Sequence, residues 1–441
     1  MKQTWKLVAK LLLCTVLALS MLYLSVGCGP DTPPIESNPE DTTPQAPTTP
    51  PADSNEPEHI PTDFEKYPSN IYAATGHNYV LRAPEGTMEM KTFRCVFSVQ
   101  EYGEFEYKLF FSNAVDSTQR VTGDIYRNMP TKEYRIASAY IGVVTEETKT
   151  NVCPNMKQIT FGGSKNKIVD PSERFWSDPV TVNVNEGELL MFEWTVQYEI
   201  IPAIQMCNQF YAYSLKYDSQ GKIQYMTNAI EVPTPDLIGC DRKVEHRIAF
   251  VGDSITQGSG ATMDMGWVAQ VAKGLGTNVS CWNLGLGYAK ADDVKDSPSW
   301  SYKASQYDTV VISIGTNDLN TGVYQSPRSQ TAQEIYSDIK KMASNFAKEG
   351  CRVIIFTTPP YSYHSDAIIN QWLQLCKLEE QLASNYNFGF FDLASHMVTE
   401  DGRHPAYGQS PTDGHPTSEG CTVAAQAILQ SGVLNTPQED E

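Results

Sequence analysis

Basic residues are scarce in this chain. Of its 441 residues, 33 are Lys or Arg against 52 Asp or Glu, a formal net charge of -19. A phosphate backbone demands a basic footprint, so nucleic acid is excluded as a partner, and so is an electrostatic grip on anionic lipid. No two of the cysteines stand as Cys-x-x-Cys, which removes support for a zinc site. No internal repeat is found. A bilayer-spanning run is also missing: the apolar stretch from Leu11 to Val26 is short for a span and suits the core of a signal peptide.

What the N-terminus does contain reads as an export signal. Lys2, Lys6 and Lys10 precede the apolar run, and Gly27-Cys28 follows it. Small residues before Cys28 resemble a bacterial lipoprotein processing site, although Ser25 stands where Leu is usual. Residues 1–28 are therefore expected to be a signal peptide with a lipidated Cys28, which makes the protein a cell-surface lipoprotein, with plain secretion as the alternative. Residues 29–63 are dense in Pro, Thr, Asp and Glu with little to bury, the composition of a disordered tether. Membrane contact is expected only through the N-terminal lipid. The eight later cysteines are scattered, and buried free thiols are preferred to disulfides.

With a hydrophobic fraction of 41%, this length suits two folded bodies. Residues 64–240 are expected to be an all-β sandwich or jelly roll. Short Val, Ile, Phe, Tyr and Thr runs such as 105–111, 134–144, 180–184 and 189–198 alternate with turn residues, and no long helical period intervenes. Residues 245–435 change character. Apolar strands near 248–251, 279–282, 309–314, 352–357 and 388–393 alternate with helices near 265–275, 331–349, 367–386 and 422–430, the pattern of a parallel sheet covered on both faces.

Ligands of such sheets bind beyond the carboxyl ends of the strands. Four polar clusters fall there: Gly252-Asp253-Ser254-Ile255-Thr256-Gln257-Gly258, Asn283-Leu284-Gly285-Leu286-Gly287, Gly315-Thr316-Asn317-Asp318, and Thr412-Asp413-Gly414-His415-Pro416-Thr417. A serine hydroxyl needs a base, the base needs an orienting carboxylate, and the tetrahedral intermediate needs donors. Ser254 is read as nucleophile, His415 as base and Asp413 as its orienter. The Ser254 N–H, an N–H of the Gly285/Gly287 turn and the Asn317 amide are read as the oxyanion hole. Activity is then expected to fall in acid as the base takes up a proton. Asp253 is read as a helix cap rather than a catalytic acid.

These clusters resemble the blocks of the SGNH (GDSL-like) hydrolase family. GDSIT is similar to its first block, GTND to its third and HPTSEG to its last, over residues 247–432 in the family's order. The resemblance implies a three-layer α/β/α fold and a serine esterase working without metal or organic cofactor. The upstream half resembles the β domain of some SGNH carbohydrate esterases, which implies O-acetyl groups on carbohydrate as substrate. The second block departs from the family's N-x-G-x-x-G, whose last glycine would fall at Tyr288, and Asp413 lies two residues before the histidine where three is usual. Asp401-Gly402-Arg403-His404 offers a rival with the longer spacing, but lacks the glycine and helix that follow His415. Two alternatives remain: a lysophospholipase or general short-chain esterase, and a carbohydrate-binding protein with a degenerate hydrolase half. The aromatics Trp176, Trp194, Tyr211 and Tyr213 are read as core rather than as a sugar platform. His246, His364 and His396 are read as surface or local hydrogen-bonding groups.

Overall fold

Alternation along the strands builds the β half. In the strand Glu89–Phe97, Phe93, Cys95 and Phe97 face one way, into the main core, and Val96 faces the other. In the computed structural model, which describes residues 60–117, 129–205, 207–320, 330–363 and 365–435, this strand lies within a large antiparallel sheet. Its order is Ile223–Asn228, Tyr211–Tyr217, Glu89–Phe97, Leu189–Tyr198, Tyr134–Val144 and Lys157–Ile159, with Lys167–Val169 also on Tyr134–Val144. A second antiparallel sheet is built on Gly103–Ser112, which pairs Leu237–Cys240, Arg174–Trp176 and Val180–Val184. The two sheets share a core in which Phe111 meets Phe192 and Trp194 at ring separations of 6.3 and 5.6 Å. The expected β-sandwich is present, and Trp194 is core, its indole N–H donating to the Pro233 carbonyl at 3.2 Å.

The second half is the expected parallel sheet. Its strands are β1 (His246–Gly252), β2 (Val279–Gly285), β3 (Thr309–Ser313), β4 (Arg352–Phe356) and β5 (Gly389–Phe391), in the order β2-β1-β3-β4-β5 and all parallel. Six helices matter here: α1 (Ser254–Gln257), α2 (Trp267–Leu275), α3 (Thr316–Leu319), α4 (Ala332–Lys348), α5 (Asp366–Tyr386) and α6 (Ser418–Ser431). Ile248 and Phe250 of β1 pack with Trp267, Val271 and Ile428 on one face. Ala249 and Val251 face the opposite layer, where Ile335, Met342 and Trp372 lie. Period two in the strand thus feeds two helical layers. Strand order reverses between β1 and β3, the place at which sheets of this kind bind their ligands.

The two halves are joined by more than a linker. From Ile60 onward the chain forms one contact unit, and the second helical layer shares its core with the sandwich. The last residues assigned to the tether are already structured: Thr62 and Glu65 close a capping box on the helix Asp63–Lys66. Phe64 of that helix packs on Phe110 and Trp176 of the sandwich (ring separations 4.9 Å each) and on Trp282 of β2 (6.0 Å). His77, which no sequence motif marks, lies in a fully buried cluster on the same seam. Lys303 sends its ammonium to Asp116 Oδ2 at 2.6 Å and to Asp236 Oδ1, with His77 Nδ1 3.5 Å from Asp236. His77, Asp116 and Asp236 are of metal-ligating type, but the Lys303 ammonium is the cation between the two carboxylates. The leader, Cys28, the tether as far as residue 59, and His364 lie outside the described residues. All eight described cysteines are free thiols.

Candidate active site

The chain turns sharply where β1 ends. Asp253 caps α1, its Oδ1 accepting the Ile255 N–H at 2.9 Å, so the cap reading holds. Burial pushes its carboxyl up to about 6, against the lowering influence of the Ile255 N–H and nearby His415. Ser254 opens α1, so its N–H has no carbonyl one turn back to bind. Asn283 fastens this turn to β2, its Nδ2 donating to the Thr256 carbonyl at 3.1 Å. Gly285 lets the two backbones touch: a Cβ there would lie 2.2 Å from the Gln257 nitrogen.

His415, expected as the base, lies on a hairpin, Gly408–Ser410 with Asp413–Pro416, that the sequence did not announce. In an extended strand, residues i and i+2 project to the same side. The two-residue spacing therefore places the Asp413 and His415 side chains together. His415 Nδ1 lies 2.6 Å from Asp413 Oδ1, which also accepts the His415 backbone N–H at 3.1 Å. On the far side of the ring, Nε2 lies 2.8 Å from Ser254 Oγ. With Nδ1–H given to the carboxylate, Nε2 is an acceptor for the serine proton. Burial works to raise the Asp413 pKa, but hydrogen bonds from the His415 backbone and ring and from the Tyr361 hydroxyl outweigh it, and the group sits below its ordinary value. Tyr361 meets the His415 ring edge-on at 5.3 Å. Gly414 makes room for that neighbour, since a Cβ there would stand 2.5 Å from the Ser362 nitrogen.

His404 is exposed and 3.8 Å from Asp401, apart from this arrangement. His246 is buried and bonded to Thr309 Oγ1 at 2.9 Å, with burial pushing its pKa down. His396 stacks on Phe391. Asn317 is buried in α3 with Nδ2 donating to the Ala289 carbonyl at 2.9 Å, which leaves its second amide hydrogen for a ligand. Asp318 holds the neighbouring segment, accepting the Ala291 N–H at 3.0 Å.

The glycine donors need correction. The Gly285 N–H donates to Asn283 Oδ1 at 2.9 Å and the Gly287 N–H to Gln257 Oε1 at 2.8 Å. Both are committed to side-chain acceptors, so neither is presented to a substrate. The next residue, Tyr288, has φ +65°, the left-handed conformation that favours glycine.

Sequence inspection also missed Tyr361, Asn78 and the role of Gln257. Gln257 carries a faint signal, an amide that is buried in the short helix after the serine. Asn78 carries none, since its contact at Gly287 is 209 positions away.

The family model of GDSL-like lipase/acylhydrolases matches residues 250–423. No curated protein matches the chain. Solved structures similar to it include a member of the lipolytic G-D-S-L family from Veillonella parvula (20% identity, 42% of this chain and 96% of that one, TM-score 0.36). A GDSL-like lipase from Bacteroides thetaiotaomicron shares 22% identity over 42% of this chain and 87% of that one, with TM-score 0.34. The acetylxylan esterase Axe2 of Geobacillus stearothermophilus, as a catalytic mutant, shares 18% over 44% and 96%, with TM-score 0.35.

Proposed function

Because residues 250–423 form a GDSL-like lipase/acylhydrolase domain of the SGNH type, and the chain is thereby a carboxylic ester hydrolase, we propose that Ser254, His415 and Asp413 are its catalytic triad. The observation that carries this is the continuous relay from Ser254 Oγ to His415 Nε2 (2.8 Å) and from His415 Nδ1 to Asp413 (2.6 Å). Ser254 Oγ attacks the acyl carbon as its proton passes to Nε2, and Asp413 stabilises the imidazolium. The tetrahedral oxyanion is held by the Ser254 N–H, the Asn317 amide and a third donor, which we assign to the Tyr288 N–H because Tyr288 stands where the family's second block has its last glycine and holds the backbone angle a glycine would take, φ +65°. Collapse expels the alcohol, which takes the proton from His415. Water then attacks the acyl-serine with His415 again as base, releasing the acid. Hydrolysis of p-nitrophenyl acetate, lost in Ser254→Ala, is the expected result; equal turnover in the variant would overturn the triad.

The alcohol is placed as carbohydrate, chiefly acetylated. A cavity of about 660 Å³ opens between Asn208, Tyr211, Tyr213 and Asn228 of the sandwich and Thr262 and Met263 of the loop after α1, with no charged side chain in its lining. Tyr211 and Tyr213, expected in the core, line this cavity, and rings beside amides suit a neutral sugar, which offers an apolar face and hydroxyls. The loop reaches the triad's hairpin, where Gln409 donates its side-chain amide to the Gly260 carbonyl, and the start of α6, where Thr262 donates its N–H to Ser418 Oγ at 3.2 Å. Acetate release from acetylated oligosaccharides should exceed hydrolysis of long-chain p-nitrophenyl esters; the reverse preference would favour a lysophospholipase.

We further propose that the enzyme is held at the cell surface by lipid on Cys28, on the strength of the basic and apolar leader before Gly27-Cys28. Cys28→Ala should shed it into the medium, and unchanged retention would overturn the anchor.

A further inference from the structure

The nucleophile's neighbourhood is held from outside its own half. Asn78, fully buried, precedes Tyr79–Arg82, an edge strand of a third, three-stranded antiparallel sheet of the β half that also holds Ile200–Gln205 and Glu231–Val232. Its Nδ2 donates to the Gly287 carbonyl at 3.0 Å, and its Oδ1 accepts the Gln205 N–H at 2.9 Å. The Gln205 carbonyl accepts from Gln257 Nε2 at 2.9 Å. Gln257 Oε1 in turn accepts the Gly287 N–H at 2.8 Å and the Cys207 thiol at 3.1 Å. Gln209, also of the β half, donates to the Gly258 carbonyl at 3.0 Å, at the end of α1. A closed ring of hydrogen bonds therefore joins the turn after β2, the helix carrying Ser254 and this small sheet of the β half.

This ring has a chemical consequence. The Gly287 carbonyl and the Tyr288 N–H belong to one planar peptide unit, and in a trans peptide they point in opposite directions. Asn78 draws the carbonyl toward the β half, which turns the Tyr288 N–H away from it. Gln257 fixes the other side of Gly287 from α1 itself, so the turn and the Ser254 N–H are held in one frame. We infer that Asn78 of the β half, with Gln257, is a positioning pair for the oxyanion hole, so that the β half is a working part of the esterase. The inference rests on the triad reading above.

Asn78→Ala removes both arms of the clamp, whereas Asn78→Asp keeps the acceptor for Gln205 and loses the donor to Gly287. Both variants should lower kcat on p-nitrophenyl acetate about ten- to a hundredfold per active site titrated with an organophosphonate, with KM changed by less than about twofold. An alkyl boronic acid, tetrahedral on Ser254, should lose affinity by a similar factor. Mere gluing of the halves would lower the fraction of titratable sites and leave kcat per site at the wild-type value. That result, or unchanged boronate affinity beside a reduced kcat, overturns the proposal. Should Asn78→Ala fail to fold, Gln257→Glu, which keeps the acceptor for Gly287 but not the donor to Gln205, is read by the same measurements with the same two outcomes. A wild-type protein without Ser254-dependent turnover overturns the triad first, and the clamp with it.

Discussion

Ser254 Oγ meets His415 at 2.8 Å, while His404 is exposed and faces Asp401 at 3.8 Å. Residue by residue, that difference sets the expected kinetics. Ser254→Ala and His415→Ala should each reduce kcat/KM at least about ten-thousandfold, whereas Asp413→Ala should lose less, because nucleophile and base remain. His404→Ala should turn over like wild type; a dead His404→Ala beside an active His415→Ala would reverse the choice of base. A second residue gives a prediction about stability. Glu379 is buried in α5, with Oε2 accepting the Thr358 N–H at 2.8 Å and Oε1 2.6 Å from Thr358 Oγ1. Burial pushes its pKa from an ordinary 4.5 up to about 8. Between those values the folded protein keeps a proton that the unfolded chain releases, so stability falls as pH rises through that window. Glu379→Gln, which keeps a donor toward Thr358 Oγ1, should flatten the decline of Tm between pH 5 and pH 8. Parallel Tm curves for variant and wild type would show that the group ionises normally.

At the scale of elements, Asp413 and His415, the proposed carboxylate and base, depend on one short hairpin. Gly414 sits between Asp413 and His415 because a side chain there would meet the 361–362 backbone. Gly414→Ala should push the hairpin outward and reduce kcat about a hundredfold, since displacements near 1 Å suffice for that. Wild-type kcat in that variant would mean that the hairpin yields without moving the relay. The same hairpin explains the unusual spacing of Asp413: an acid two residues ahead reaches the ring because the segment is extended, and one three residues ahead would face away. Sequence inspection located the last cluster but not this strand. The capping role of Asp253 was legible, since capping chemistry is local, but the short helix α1 that it caps was not expected.

At the scale of the whole molecule, the seam between the halves is both apolar and charged. The shared core and Phe64 supply the apolar part, and Lys303 with Asp116 and Asp236 the charged part. Removing the ammonium leaves two buried carboxylates facing one another, so Lys303→Met should destabilise the protein by about 3–5 kcal/mol. Because the core is continuous, calorimetry should give one unfolding transition for both halves; two separated transitions would show that they fold independently.

Period-two and helical patterning placed most strands and the longer helices, because each of those signals lies within a few consecutive residues. The motifs marked Ser254 and Asn317 because the carboxyl ends of parallel strands are readable as breaks in apolar runs, and Asp413 and His415 because their cluster runs directly into the last helix. What the sequence could not decide was everything that depends on contact between distant segments. Gly285 and Gly287 looked like donors until Asn283 and Gln257 were seen to occupy them. His77, Lys303 and Asn78 gain their meaning only from partners across the seam. Local order follows from neighbours along the chain, whereas the direction in which a single peptide N–H points is set by groups that only folding brings together.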